Sequence, residues 1–116
     1  MPQESLRIAD QPGAQPGQRI LRLEGALVMT TMFEFQATVR ADTSRSLIID
    51  FANVPYVDSA GIGALVGAYV TRQHGGRSLA LVGVSERIHT ALKVTRVEQF
   101  FRFFDSVSAA EQASPA

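Results

Sequence analysis

A chain of 116 residues has room for one compact domain and not comfortably for two. With 46% apolar and 19% charged residues it reads as an ordinary globular sequence, and eleven basic against eleven acidic side chains leave no global field to draw nucleic acid or an anionic membrane. The absence of cysteine excludes disulfides, thiol nucleophiles and thiolate metal sites.

The opening Met1-Pro2-Gln3-Glu4-Ser5 has neither a basic leader nor an apolar run, so no signal peptide is expected. No apolar stretch approaches the roughly 20 residues that cross a bilayer, and a cytoplasmic location is the default. Leu6 to Ala9 suits a short strand. Residues 10–18 follow as a loop with two Pro-Gly pairs, because Pro presets a negative φ and Gly accepts a positive one. Arg19 to Glu24, closed by Gly25, gives a second strand and thus an opening hairpin with a flexible tip. Thr30 or Thr31 caps a helix reaching about Arg40, with Met32, Phe35 and Val39 on its apolar side. Ser46 to Phe51 is a near-continuous apolar run that suits a central strand covered on both faces.

Ile62, Leu65, Val66, Tyr69 and Val70 then follow the spacing of an amphipathic helix, with Ser59 at its N-terminal edge and Gly75-Gly76 ending it after His74. Leu79 to Val82 is another buried strand. Ser85 caps a short helix carrying Ile88, Ala91 and Leu92. Phe100 to Phe104 is a last strand, and Ser106 or Ser108 opens a terminal helix, Ser108 with Glu111 matching a capping box. Residues 114–116 are expected to fray. Strands joined through helices in this order make an α/β domain whose later strands run mostly parallel through right-handed crossovers.

The chemistry concentrates where a buried strand leaves through a turn and enters a helix with Asp58-Ser59-Ala60-Gly61-Ile62-Gly63. A serine at a helix N-terminus accepts a hydrogen bond from a free first-turn N–H, about 1 kcal/mol, and that structural role is the more common one for any isolated case. A phosphate on the same hydroxyl meets unpaired N–H groups and the positive end of the helix dipole. Asp58 either helps to cap the helix or repels such a phosphate, and the two roles are compatible. Gly61 and Gly63 open the backbone to close approach. Gly63, Ala64, Gly67 and Ala68 suit a smooth docking face and tight helix-on-sheet packing equally well. Neither His74 nor His89 has metal-ligand spacing, and both read as solvated, as do Arg72 and Arg77. Alternation should turn one pair of the Phe100–Phe104 aromatics outward, as a contact patch if exposed.

The stretch from Leu47 to Leu65 resembles the signature of the STAS family (sulfate transporter and anti-sigma factor antagonist), in which a strand leads to Asp-Ser-Ser/Ala-Gly-Leu/Ile-Gly and then a helix. Leu23-Glu24-Gly25-Ala26-Leu27 is similar to its Leu-Thr-Gly-Glu-Leu. Thr31, Phe35 and Val39, Gly75-Gly76 before Leu79, Val84 to Ile88, and Phe103 to Ser106 resemble the family's other segments in the right order. Val28 stands where the family usually carries an aspartate, and the surface that follows it, Met29-Thr30-Thr31-Met32, is unusually apolar.

That resemblance implies a single STAS domain over residues 1–116, a mixed sheet of about five strands with about four helices. It implies a non-enzymatic bacterial signalling protein that uses no cofactor or metal. Its partner would be an anti-sigma factor with serine kinase activity on a histidine-kinase-like ATPase fold, with a phosphatase as a further partner and neither direct nucleic-acid binding nor membrane insertion. Ser59 would be the phosphorylated residue. Asp58, Ala60, Gly61, Ile62, Gly63, Met29, Thr30 and Thr31 would meet the partner. Binding when Ser59 is unmodified would free a sigma factor. STAS domains also serve as non-catalytic subunits of lipid-transport ABC ATPase complexes, and Val28 lends that alternative some weight.

Overall fold

The computed structural model describes residues 5–113; residues 1–4, and the segment 114–116 expected to fray, lie outside the described residues. Ten elements follow in order: β1 (Arg7–Pro12), β2 (Gln18–Glu24), α1 (Met32–Ala41), β3 (Ser46–Asn53), α2 (Ser59–His74), β4 (Ser78–Val82), α3 (Glu86–Val94), a 3-10 turn (Glu98–Phe100), β5 (Arg102–Phe104) and α4 (Val107–Ala113). The five strands lie in sequence order, with β1 antiparallel to β2 and every later pair parallel. This is the mixed α/β sheet expected of the sequence.

Alternation along the strands explains the two layers. Leu21, Leu23, Leu47, Ile49, Phe51, Leu79 and Leu81 point to one face, where they pack with Phe35 and Val39 of α1, Leu65 of α2, and Ile88 and Leu92 of α3. Ile20, Ile48, Ala80 and Val82 point to the other, under Ala110 of α4. Residues Leu47 to Phe51 of β3 are buried on both sides, which is why that strand reads as a near-continuous apolar run. Each large side chain fully buried here, such as Phe35, contributes about 2–3 kcal/mol.

Several local expectations are corrected. Strand β1 runs on to Pro12, tolerated because β1 is an edge strand and a missing N–H costs no ladder bond there. The hairpin connection is therefore residues 13–17 rather than 10–18, and it is fastened. The Glu111 carboxylate accepts from Ala14 N at 2.6 Å, and the Glu111 carbonyl accepts from the Gln15 and Gln18 side-chain amides at 3.0 and 2.9 Å. Glu111 is thus occupied, and Ser106, not Ser108, caps α4 by accepting from Ala109 N. Phe100 lies in the 3-10 turn and stacks on Tyr69 at 5.3 Å, so the last strand begins only at Arg102. Phe101 and Phe103 face the three-helix side and Phe104 the other.

The buried stripe of α2 is Gly61, Ala64, Leu65, Ala68 and Arg72, rotated from the predicted one. Ile62, Val66 and Tyr69 are half-buried at its margin and Val70 is exposed. Of the four small residues left open between docking and packing, Ala64 and Ala68 pack inward while Gly63 and Gly67 face outward. Arg72 is not solvated; it is 1% exposed. Its guanidinium donates to Ser78 O at 3.1 and 2.9 Å, to Ser44 O at 2.9 Å and to Asp42 Oδ1 at 3.2 Å. Burial lowers its affinity for the proton, and Asp42 works against that. Arg77, half-buried, donates to Asp42 O at 2.7 Å. His89 is likewise no free surface group: it stacks on Phe103 at 4.6 Å, with Nε2 3.1 Å from Glu98.

Candidate functional site around Ser59

After β3 the chain turns through Pro55 and Tyr56 and comes alongside the segment that follows β2. Leu27 forms a parallel bridge with Val57, Leu27 N donates to Tyr56 O at 3.3 Å, and Asp58 N donates to Leu27 O at 3.4 Å. Two segments distant in sequence thereby meet at the start of α2.

Asp58, in extended conformation, is the N-cap of α2. Its Oδ1 accepts from Gly61 N at 2.8 Å and its Oδ2 accepts from Met29 N at 3.0 Å. One carboxylate therefore satisfies a first-turn donor and ties down the 26–31 loop. Ser59 is the first residue inside the helix rather than its cap. It is exposed, and among the described residues its hydroxyl has no hydrogen-bond partner. No acidic side chain occupies the first turn of α2, so the positive dipole end there is uncompensated apart from Asp58.

Gly61 opens the backbone to another part of the same chain. A Cβ there would lie 2.0 Å from Leu27 O, so only glycine allows α2 to seat against the loop. Gly63, two residues on, has nothing within 4 Å of such a Cβ. Thr31 is also interior, at 7% exposure, and caps no helix with its side chain. Its hydroxyl donates to Ala26 O at 2.8 Å and accepts from Val28 N at 3.0 Å, folding the loop on itself. Val28 is buried as well and offers nothing polar to the surface.

The structure thus brings Asp58, Ser59, Ala60, Ile62, Gly63, Met29 and Thr30 to one end of α2. Gly61 and Thr31, named with them from the sequence, are scaffold beneath. Met29 is 62% exposed, and Phe33, in the first turn of α1, is 66% exposed. Arg87 of α3 holds its guanidinium 5.4 Å from the centre of the Tyr56 ring. Sequence reading missed Phe33 and Arg87. Phe33 had a legible signal, an aromatic on the polar side of α1; Arg87 had none, because its neighbour is 31 positions away in the chain. No group of His, Asp or Glu among the described residues is arranged to hold a metal ion, and no helix among them is long and apolar enough to cross a membrane.

Comparison with known proteins falls on the same region. The STAS domain family model matches residues 9–110. An anti-sigma-B factor antagonist from Staphylococcus aureus is 30% identical over 78 residues, 65% of this chain and 72% of that protein. An anti-sigma factor antagonist from Mycobacterium paratuberculosis superposes with a TM-score of 0.79 at 17% identity, over 93% of this chain and 92% of the other. The Bacillus cell fate determinant SpoIIAA in its phosphorylated form gives 0.71 at 13% identity, over 93% and 100%.

Proposed function

The chain belongs to the STAS domain family, and from that premise we propose that it is an anti-sigma factor antagonist switched by phosphorylation of Ser59. The observation that carries this reading is the division of labour at the start of α2. Asp58 does the capping, which leaves the Ser59 hydroxyl exposed and unengaged beside the positive end of a 16-residue helix. A phosphate there has first-turn N–H groups within reach and a favourable field. Relatives named as anti-sigma-B factor antagonists support the role.

In the unphosphorylated state the protein binds an anti-sigma factor in the cytoplasm through Ser59, Ala60, Ile62 and Gly63 with Met29 and Thr30, and so frees a sigma factor. Phe33 extends this surface, and Asp58, Gly61 and Thr31 hold it in shape. The anti-sigma factor is itself the serine kinase, with a histidine-kinase-like ATPase fold, and a phosphatase restores the binding form. A dianion placed in a closely packed contact adds desolvation cost and repulsion, enough to weaken binding by about a hundredfold or more.

The test is to incubate the protein with the anti-sigma kinase of its source and ATP, locate phosphate by mass spectrometry, and compare binding of wild type with Ser59→Asp. Phosphate on Ser59 with lost binding supports the switch; no phosphate there and unchanged binding by Ser59→Asp reject it. The second reading, a non-catalytic subunit of a lipid-transport ABC ATPase complex, draws on the buried Val28 and the apolar Met29 and Phe33. Co-purification with a transporter ATPase instead of a histidine-kinase-like one would favour it.

A further inference from the structure

Met29 and Thr30 form a two-residue tongue between fixed points. On one side Leu27 is held by its bridge to Val57 and by backbone bonds to Tyr56 and Asp58. On the other, Thr31 is held by its hydroxyl bonds to Ala26 and Val28, while Thr31 N and Met32 N both donate to Val28 O, at 3.0 and 2.8 Å. None of these anchors uses the Asp58 side chain. Between them, Met29 N donates to Asp58 Oδ2, and the other carboxylate oxygen serves Gly61 N.

We infer that Asp58 is a positioning residue which couples the state of Ser59 to the placement of Met29, an inference that rests on Ser59 being the phosphorylated residue. A phosphate on Ser59 puts a dianion on the residue next to a carboxylate that is already holding two donors. The phosphate competes for the first-turn N–H groups and repels the carboxylate. Gly61 N lies on the phosphate's own helix turn and can take a phosphate oxygen as its new acceptor. Met29 N lies on another segment and can turn only to water. The carboxylate therefore leaves Met29, and the exposed Met29 side chain loses its fixed place beside Ser59. Phosphorylation acts twice: it adds charge to the contact surface and dismantles part of its apolar rim.

Phosphoserine installed at position 59 by genetic code expansion tests this without any kinase. Amide hydrogen exchange, read by NMR, should accelerate at Met29 by about tenfold or more, with Leu27 and Thr31 changed less than about twofold. Asp58→Asn supplies the second arm. Its amide keeps one acceptor oxygen for Gly61 N, but its NH2 group cannot accept from Met29 N. This variant should release Met29 in the unphosphorylated protein, and phosphoserine should then add nothing further there. Unaltered exchange at Met29 on phosphorylation of otherwise wild-type protein overturns the inference, as does an equal acceleration by phosphoserine in the Asp58→Asn background. If Asp58→Asn does not fold, the first arm decides alone. Failure of a kinase to modify Ser59 would instead sink the proposed switch and leave this measurement standing.

Discussion

Gly61→Ala and Gly63→Ala make the same chemical change two residues apart on one helix, and the structure assigns them opposite signs. At Gly61 the added methyl would stand 2.0 Å from Leu27 O, where ordinary contact begins near 3.4 Å, and the obstacle is backbone. Either the first turn of α2 or the 26–31 loop must move by more than an ångström. Relief of such overpacking costs about 1–3 kcal/mol. The move also strains the Asp58 N to Leu27 O bond and the Gly61 N to Asp58 bond, about 1 kcal/mol each when lost. The better helix propensity of alanine returns less than about 1 kcal/mol. The net loss is about 2–4 kcal/mol, a fall in Tm of roughly 10 °C for a domain of this size. At Gly63 the methyl meets nothing within 4 Å, and the propensity gain of about 0.5–1 kcal/mol should appear undiminished. Urea denaturation with a common m-value measures both variants. If Gly61→Ala is as stable as Gly63→Ala, α2 does not seat against Leu27 as described and the geometry of the site is wrong.

Ser59→Ala should change stability by less than about 0.5 kcal/mol, whereas Asp58→Ala should cost about 1–2 kcal/mol, because the cap is the aspartate; thermal melts of the two variants check the order. Arg72→Met should cost about 3–5 kcal/mol by leaving the buried Asp42 carboxylate without its cation, with only the Ser44 donors to hold it, and by removing the guanidinium donors from the Ser44 and Ser78 carbonyls. Arg72→Lys should recover little of that, since an ammonium cannot span the same acceptors as the planar fork; urea midpoints decide. Met29→Ser with Phe33→Ser should leave the melting temperature almost unchanged, as both side chains are mostly exposed, yet weaken binding to the anti-sigma factor by about tenfold or more in calorimetry.

Much of this protein follows from local signals. Alternation and a buried run are properties of consecutive residues, so β2, β3 and β4 emerge from the sequence within a residue or two. The Ser85 cap is local too, since its oxygen reaches Ile88 N only three positions on. The Asp-Ser-Ala-Gly stretch is contiguous and marks the start of α2 without help from any partner segment. Periodicity says which residues are apolar but not what stands opposite them. Helix α2 is apolar or small around most of its circumference, so spacing alone did not tell that Ala64 and Ala68 face inward while Val70 faces water.

Tertiary structure settled the features that give the site its character. Whether Asp58 or Ser59 caps α2 is nearly degenerate in sequence, and Asp58 gains a second donor from Met29, 29 positions away. Gly61 looked like an opening for a partner, yet it is occupied by Leu27 O. Thr31 looked like a surface cap and is instead the internal tie of the loop. Arg72 looked solvated because a helix-end arginine usually is, and only the arrival of three carbonyl and carboxylate groups, two from the α1–β3 connection and one from the start of β4, makes its burial affordable. In each case the deciding partner lies on another segment of the chain, where hydrogen-bond satisfaction and close packing, rather than local preference, determine the outcome.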